Sequence, residues 1–136
     1  MIPAFQGVDH IHVYVVDRAA AEKWYASVLG FARIPDLEFW SAGGGPLTLT
    51  DPSGSVHLAI FEKAAEKCRS VIALKASAAE FVAWQAHLAA ALGRPVDAVD
   101  HKVAWSLYFA DPDGNPYEIT SYEHADVASR LRSKDG

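Results

Sequence analysis

Three side chains in this sequence are of the types that could share a divalent metal ion: His10, His57 and Glu118. Neutral imidazole and carboxylate are borderline-to-hard donors. A set of two His and one carboxylate with open positions suits divalent Fe, and also Mn, Co, Ni or Zn. The open positions are what let such an ion act on a substrate. His57 lies between Val56 and Leu58, and Glu118 between Tyr117 and Ile119. In an extended strand those apolar neighbours must point the opposite way. An ionised Glu among apolar groups is costly unless it is paired or metal-bound. A lone strand His is more often a hydrogen-bonded structural residue than a ligand, so the chemistry is suggested by the trio and by no single member.

The elements that must position these residues can be read from periodicity. Residues 8–16 alternate, with Ile11, Val13 and Val15 on one face and His10, His12 and Tyr14 on the other, as in a strand buried on one side. Asp17 is placed to cap a helix carrying Ala21, Trp24, Tyr25, Val28 and Leu29 at helical spacing, and Gly30 to end it. Strand-like runs follow at 31–35, 47–50 and 56–61, separated by Gly43-Gly44-Gly45-Pro46 and Asp51-Pro52-Ser53-Gly54. This gives β-α-β-β-β.

The same order then repeats. A strand at 71–75 leads to a cap at Ser77 and a helix with Phe81, Trp84, Gln85, Leu88 and Leu92 inward, closed by Gly93 and Pro95. Three strands fit at 96–101, 105–110 and 117–121, and a short helix at 125–132. A shift of 61 residues lays His57 on Glu118, His10 on Val71 and Glu62 on Glu123. The expected class is α+β, one domain over 1–136 made of two βαβββ modules. Module 1 covers about 7–62, a charged linker 63–69, module 2 about 70–122, and a tail 123–136. If the apolar strand faces pack on the helices, the opposite faces line an open cup that receives His10, His12, Tyr14, His57, Val71, Tyr108 and Glu118. Trp24 and Trp84, at inward helix positions, are expected in the core.

Composition narrows the function classes. A hydrophobic fraction of 51% over 136 residues supports a core without staples. The lone Cys68 can form no internal disulfide and reads as a small hydrophobe, which fits a reduced, cytoplasmic setting. No signal-like or membrane-length apolar stretch is present, so no membrane partner is expected. A net charge of -5 without a Lys/Arg cluster excludes the basic footprint of nucleic-acid binding.

Asp9-His10-Ile11 through Asp17, the helix end Trp24-Tyr25-x-x-Val28-Leu29-Gly30-Phe31, and above all Tyr108-Phe109-Ala110-Asp111-Pro112-Asp113-Gly114-Asn115-x-x-Glu118 resemble the vicinal-oxygen-chelate superfamily of glyoxalases, bleomycin-resistance proteins and extradiol dioxygenases. The resemblance implies paired βαβββ modules forming an open cup, usually in a homodimer. It also implies metal ligands at His10, His57, Val71 and Glu118. Val71 departs from the pattern, because a Val side chain cannot ligate, and His57 stands where glyoxalase I would offer Glu. Residues 101–108 ahead of the closing turn most resemble small catechol-cleaving dioxygenases, with Tyr108 ten residues before Glu118. That likeness implies Fe(II) on His10, His57 and Glu118, Tyr108 bonded to a substrate oxygen, and His12 or His101 as acid-base.

Two rivals belong to other classes. A metal-free drug-binding protein would stack a flat or cationic small molecule on Tyr14, Trp40, Phe61 or Trp105, with Val71 in the wall. Alternation turns Trp105 away from Tyr108. A metal-dependent isomerase or lyase would use the same ligands with Ni, Co or Zn to polarise a carbonyl. Thiol transfer to fosfomycin is disfavoured, since no basic cluster near the closing motif would hold a phosphonate.

Overall fold

The computed structural model describes residues 1–63, 66 and 70–135; Cys68 and most of the charged linker lie outside them. The chain divides into two compact units, Met1–Cys68 and Arg69–Gly136.

In the first unit β1 (Ile11–Val15) leads to α1 (Arg18–Trp24), which widens into a π-helical turn over Tyr25–Leu29. The Asp17 carboxylate accepts the Ala20 N–H at 3.0 Å and starts the helix. Gly30 ends it at φ 76°, a left-handed conformation that favours glycine. β2 (Ala32–Arg33), a short helix α2 (Phe39–Ala42), β3 (Leu47–Thr50) and β4 (His57–Glu62) complete the unit. The sheet order is β1-β4-β3-β2; β1 runs parallel to β4, and the other neighbours are antiparallel. Val13, Val15, Leu47, Leu49, Leu58 and Ile60 share one face and are buried with Ala21, Tyr25, Val28 and Leu29 of the helix. Burying that face stabilises the unit by about 25 cal/mol per Å² of apolar area removed from water.

The second unit repeats the plan with β5 (Ile72–Lys75), α3 (Ala78–Leu92), β6 (Val99–Asp100), β7 (Trp105–Ala110) and β8 (Pro116–Ser121), in the order β5-β8-β7-β6. Ser77 and Glu80 form a capping box at the start of α3. A last helix, α4 (His124–Asp135), is longer than the 125–132 read from the sequence and buries Val127 completely. Each module therefore forms a four-stranded mixed sheet with helices, and neither sheet is closed.

The expectation that Trp24 and Trp84 are core residues is corrected, because both are half-buried. Each lies three residues after a fully inward position, Ala21 or Phe81, and so about 60° round the helix from it. Both rings rest on the flank, Trp24 edge-on to Tyr25 at 5.0 Å and Trp84 edge-on to His87 at 5.4 Å.

A second repeated device was not read from the sequence. After the last strand of each module, a carboxylate reaches back to the first helical N–H: Glu62 accepts from Arg18 N at 2.9 Å, and Glu123 from Ala78 N at 3.3 Å. These N–H groups have no partner inside their helices, and a carboxylate there also complements the helix dipole.

Candidate functional site

Alternation in β1 turns His12 and Tyr14 to the face opposite the core. Parallel pairing sets His12 beside Ala59 and Tyr14 beside Phe61. One pair earlier the same register would set His10 level with His57, the first residue of β4. The rings on this face are close: His10 to His12 at 5.0 Å and stacked, His12 to Phe61 at 4.8 Å, Tyr14 to Phe61 at 5.7 Å. His10 Nε2 lies 3.0 Å from His12 Nε2, and its Nδ1 lies 2.7 Å from the Asp9 carboxylate. A carboxylate can only accept, so His10 carries a proton on Nδ1, and in the neutral ring that leaves the lone pair on Nε2.

Lys63 Nζ stands 5.9 Å from the ring centres of both Tyr14 and Phe61. The cation position over these rings is thus filled by the protein's own side chain. On the same face, level with Ala59, Thr48 Oγ1 is buried with no hydrogen-bond partner among the described residues. Trp40, in α2, is exposed beside Phe39. Its carbonyl accepts from Gly45 N at 2.9 Å, and a Cβ at Gly45 would come within 2.8 Å of that oxygen. Arg18 holds this loop to α1 through Gly45 O at 2.8 Å and Ser41 O at 3.2 Å.

In the second unit Glu118 is half-buried on the face opposite Tyr117 and Ile119, with Ala73 on one side and Tyr108 directly across β7 and β8 on the other. Ser106, almost wholly buried, donates its hydroxyl to Glu118 Oε2 at 2.7 Å, and its Oγ also lies 3.3 Å from Thr120 Oγ1. Tyr108 OH meets His101 Nε2 at 2.9 Å, with the rings edge to face. Val71 precedes β5 and is about half exposed. Trp105 pairs with Ser121 on the helix-covered face, where its Nε1 donates to His124 O at 3.1 Å.

The structure therefore brings together His10 with His12, Tyr14 with Phe61, and Tyr108 with His101. Within neither unit do three or more His, Cys, Asp or Glu side chains gather as a metal-holding group among the described residues. Donor types that suit a divalent ion are nevertheless present in each unit by itself, each with a contact of the kind that orients metal ligands: the Asp9 carboxylate on His10 Nδ1, and the Ser106 hydroxyl on Glu118. Sequence reading missed Asp9, Ser106, Thr48 and Lys63. Ser106 was within reach of the alternation rule, lying two residues before Tyr108 on the strand that pairs with Glu118.

The family described as Glyoxalase/Bleomycin resistance protein/Dioxygenase superfamily matches residues 7–119. No curated protein matches the chain. Solved structures share its fold: a glyoxalase family protein from Bacillus anthracis (21% identity, TM-score 0.67, 90% of this chain and 100% of that one) and a glyoxalase/dioxygenase from Nostoc punctiforme (19%, 0.64, 86% and 91%). A third is the fosfomycin resistance protein FosX from Listeria monocytogenes, solved with Mn(II) and sulfate (17%, 0.63, 94% and 99%). The match over 7–119, the two βαβββ modules and their open mixed sheets establish that this chain belongs to the glyoxalase/bleomycin resistance protein/dioxygenase superfamily.

Proposed function

We propose that this protein is a metal-dependent enzyme acting on a small substrate through two adjacent oxygens, with extradiol-type ring cleavage as the leading reaction. The observation that carries the reading is the group on the open face of β7 and β8: a carboxylate oriented by Ser106, directly across from a phenol hydrogen-bonded to His101. A binding protein has no need of an acid-base pair beside an oriented carboxylate. His10, His57 and Glu118 would hold the ion, Fe(II) for oxygen chemistry, with Mn, Ni, Co or Zn for an isomerase or lyase. When bound, the ion supplies Lewis acidity toward the substrate oxygens and a site at which dioxygen can be activated.

The chain's own residues then have separate tasks. Asp9 keeps His10 in the tautomer that offers Nε2. Tyr108 hydrogen-bonds a substrate oxygen, and His101 takes or returns the proton through the 2.9 Å contact. Tyr14 and Phe61 offer apolar surface to a flat substrate, Trp40 and Val71 being further wall candidates, and Lys63 beside the rings favours an anionic substituent over a cationic one. The protein is proposed to act as a cytoplasmic homodimer, which sedimentation would test.

Elemental analysis of protein purified without chelator, with His57→Ala and Glu118→Ala alongside, tests the reading. About one ion per chain, lost in both variants, supports it, and oxygen uptake with catechols under Fe(II) then separates a dioxygenase from an isomerase. Metal-free protein even after anaerobic Fe(II) reconstitution overturns it. The ring cluster of His12, Tyr14 and Phe61 would then favour a metal-free binding protein for flat molecules.

A further inference from the structure

His10 and His12 make an unusual contact. Asp9 accepts a hydrogen bond from His10 Nδ1, which in the neutral ring leaves the lone pair on Nε2, and 3.0 Å from that nitrogen stands His12 Nε2. Two residues apart on one strand, the side chains share a face, and both are exposed there. With both rings neutral and the His10 proton on Nδ1, the nitrogen that donates across this contact is His12 Nε2. Two imidazole nitrogens that each bind an ion at about 2.0–2.1 Å at a right angle stand about 3 Å apart, the separation seen here. The pair is set as one edge of a coordination shell, with His10 already oriented by a carboxylate in the way outer-shell groups orient ligating histidines.

From this we propose that His12 is a metal ligand alongside His10, and that Asp9 is the positioning residue that makes the pair. The inference deepens the metal-enzyme reading and rests on it. It assigns a donor where Val71 can give none, and it removes His12 from the acid-base role, leaving that to His101 and Tyr108. Binding leaves His12 neutral, moving its proton from Nε2 to Nδ1 through solvent while Nε2 turns its lone pair to the ion; His10 keeps its proton on Nδ1 throughout.

Zn(II) and Co(II) are the probes. Affinity for Zn(II) is measured by competition with a chromophoric chelator, and the tautomers of ¹⁵N-histidine-labelled full-length protein are read by long-range ¹H–¹⁵N spectra before and after Zn(II). The expected result has three parts: His12→Ala and His12→Gln weaken Zn(II) at least 100-fold, Asp9→Asn weakens it about 10–100-fold, and His12 changes from the Nε2–H to the Nδ1–H form on binding. The visible spectrum of the Co(II) protein should change in His12→Gln and stay unaltered in the control His87→Gln. Circular dichroism keeps the comparison to folded protein.

Wild-type affinity in both His12 variants, or an unchanged His12 tautomer in Zn(II)-loaded wild type, overturns this inference. If His57→Ala and Glu118→Ala still lose metal, the metal-enzyme reading stands without it. Absence of any Zn(II) or Co(II) binding by the wild type overturns both.

Discussion

The two modules share one plan and differ in what they expose. Both keep the element order, the strand order and the carboxylate that returns to the helix start, and both bury the same apolar face against a helix. Their open faces diverge. The first presents imidazoles and aromatic rings, the second a carboxylate bonded to the Ser106 hydroxyl with a Tyr–His pair. Packing constrains the covered face at every position, whereas the open face answers only to what it must bind.

The strand registers differ as well. Ile11 pairs with Leu58, an offset of 47, whereas Ile72 pairs with Tyr117, an offset of 45. An even slip preserves the faces but changes the level, so Glu118 lies beside Ala73 and not beside Val71. Equivalence by a constant sequence shift thus predicts the side of the sheet better than the height along it.

The largest expected contrast lies in the turns before β4 and β8. Asp111 is buried, and its carboxylate accepts from Asp113 N, Asn115 N and Asn115 Nδ2 at 2.8–3.0 Å. Asp51, less buried, accepts from Val56 N and from Ser53, and Ser53 in turn bonds Ser55. Asp111→Ala is expected to cost about 3 kcal/mol and Asp51→Ala about 1 kcal/mol, measured by urea denaturation; equal losses would erase the distinction between the turns.

Next in size is the second module's hydroxyl network. Ser106→Ala leaves Glu118 without its donor and should weaken metal binding about 10–100-fold while the fold survives, as chelator competition and circular dichroism would report. An unchanged affinity would show that Ser106 serves packing alone.

A smaller effect of opposite sign belongs to the first module. Thr48→Val replaces an unpartnered buried hydroxyl by a methyl group and should stabilise the protein by up to about 1 kcal/mol. Destabilisation in thermal melts would mean that this hydroxyl is satisfied in solution.

The smallest effect concerns Glu22, to which Arg33 donates through both Nε and Nη2. The hydrogen bond from Arg33 holds the Glu22 carboxyl below its ordinary value, against an upward push from burial and with further help from the guanidinium charge. A depressed carboxyl stabilises the fold above the unfolded-state value of about 4.3, and that contribution disappears as pH falls through the lower folded-state value. The stability gap between wild type and Glu22→Gln should therefore be small near neutral pH and close in acid. A gap that widens on acidification would contradict the ion pair.

Much of the fold was legible in the sequence because it rests on periodicity and local chemistry. Alternation in β1, the caps Asp17 and Ser77, Gly30 at the helix end, and β3 and β7 all fall where their patterns place them. The short helix α2 was not read, since four residues carry no period. The core placement of Trp24 and Trp84 failed because inward spacing fixes a direction round the helix to within about 60°, too coarse to tell a flank from a centre.

Sequence by itself determined the duplicated βαβββ plan and the residue types available for chemistry, because side-chain period and turn residues are properties of the local chain. Tertiary structure alone decided the pairings across strands that orient them: Ser106 on Glu118, and His101 on Tyr108. Those contacts depend on which strands become neighbours, in what register and in which rotamers, and no local pattern encodes that distance-dependent geometry.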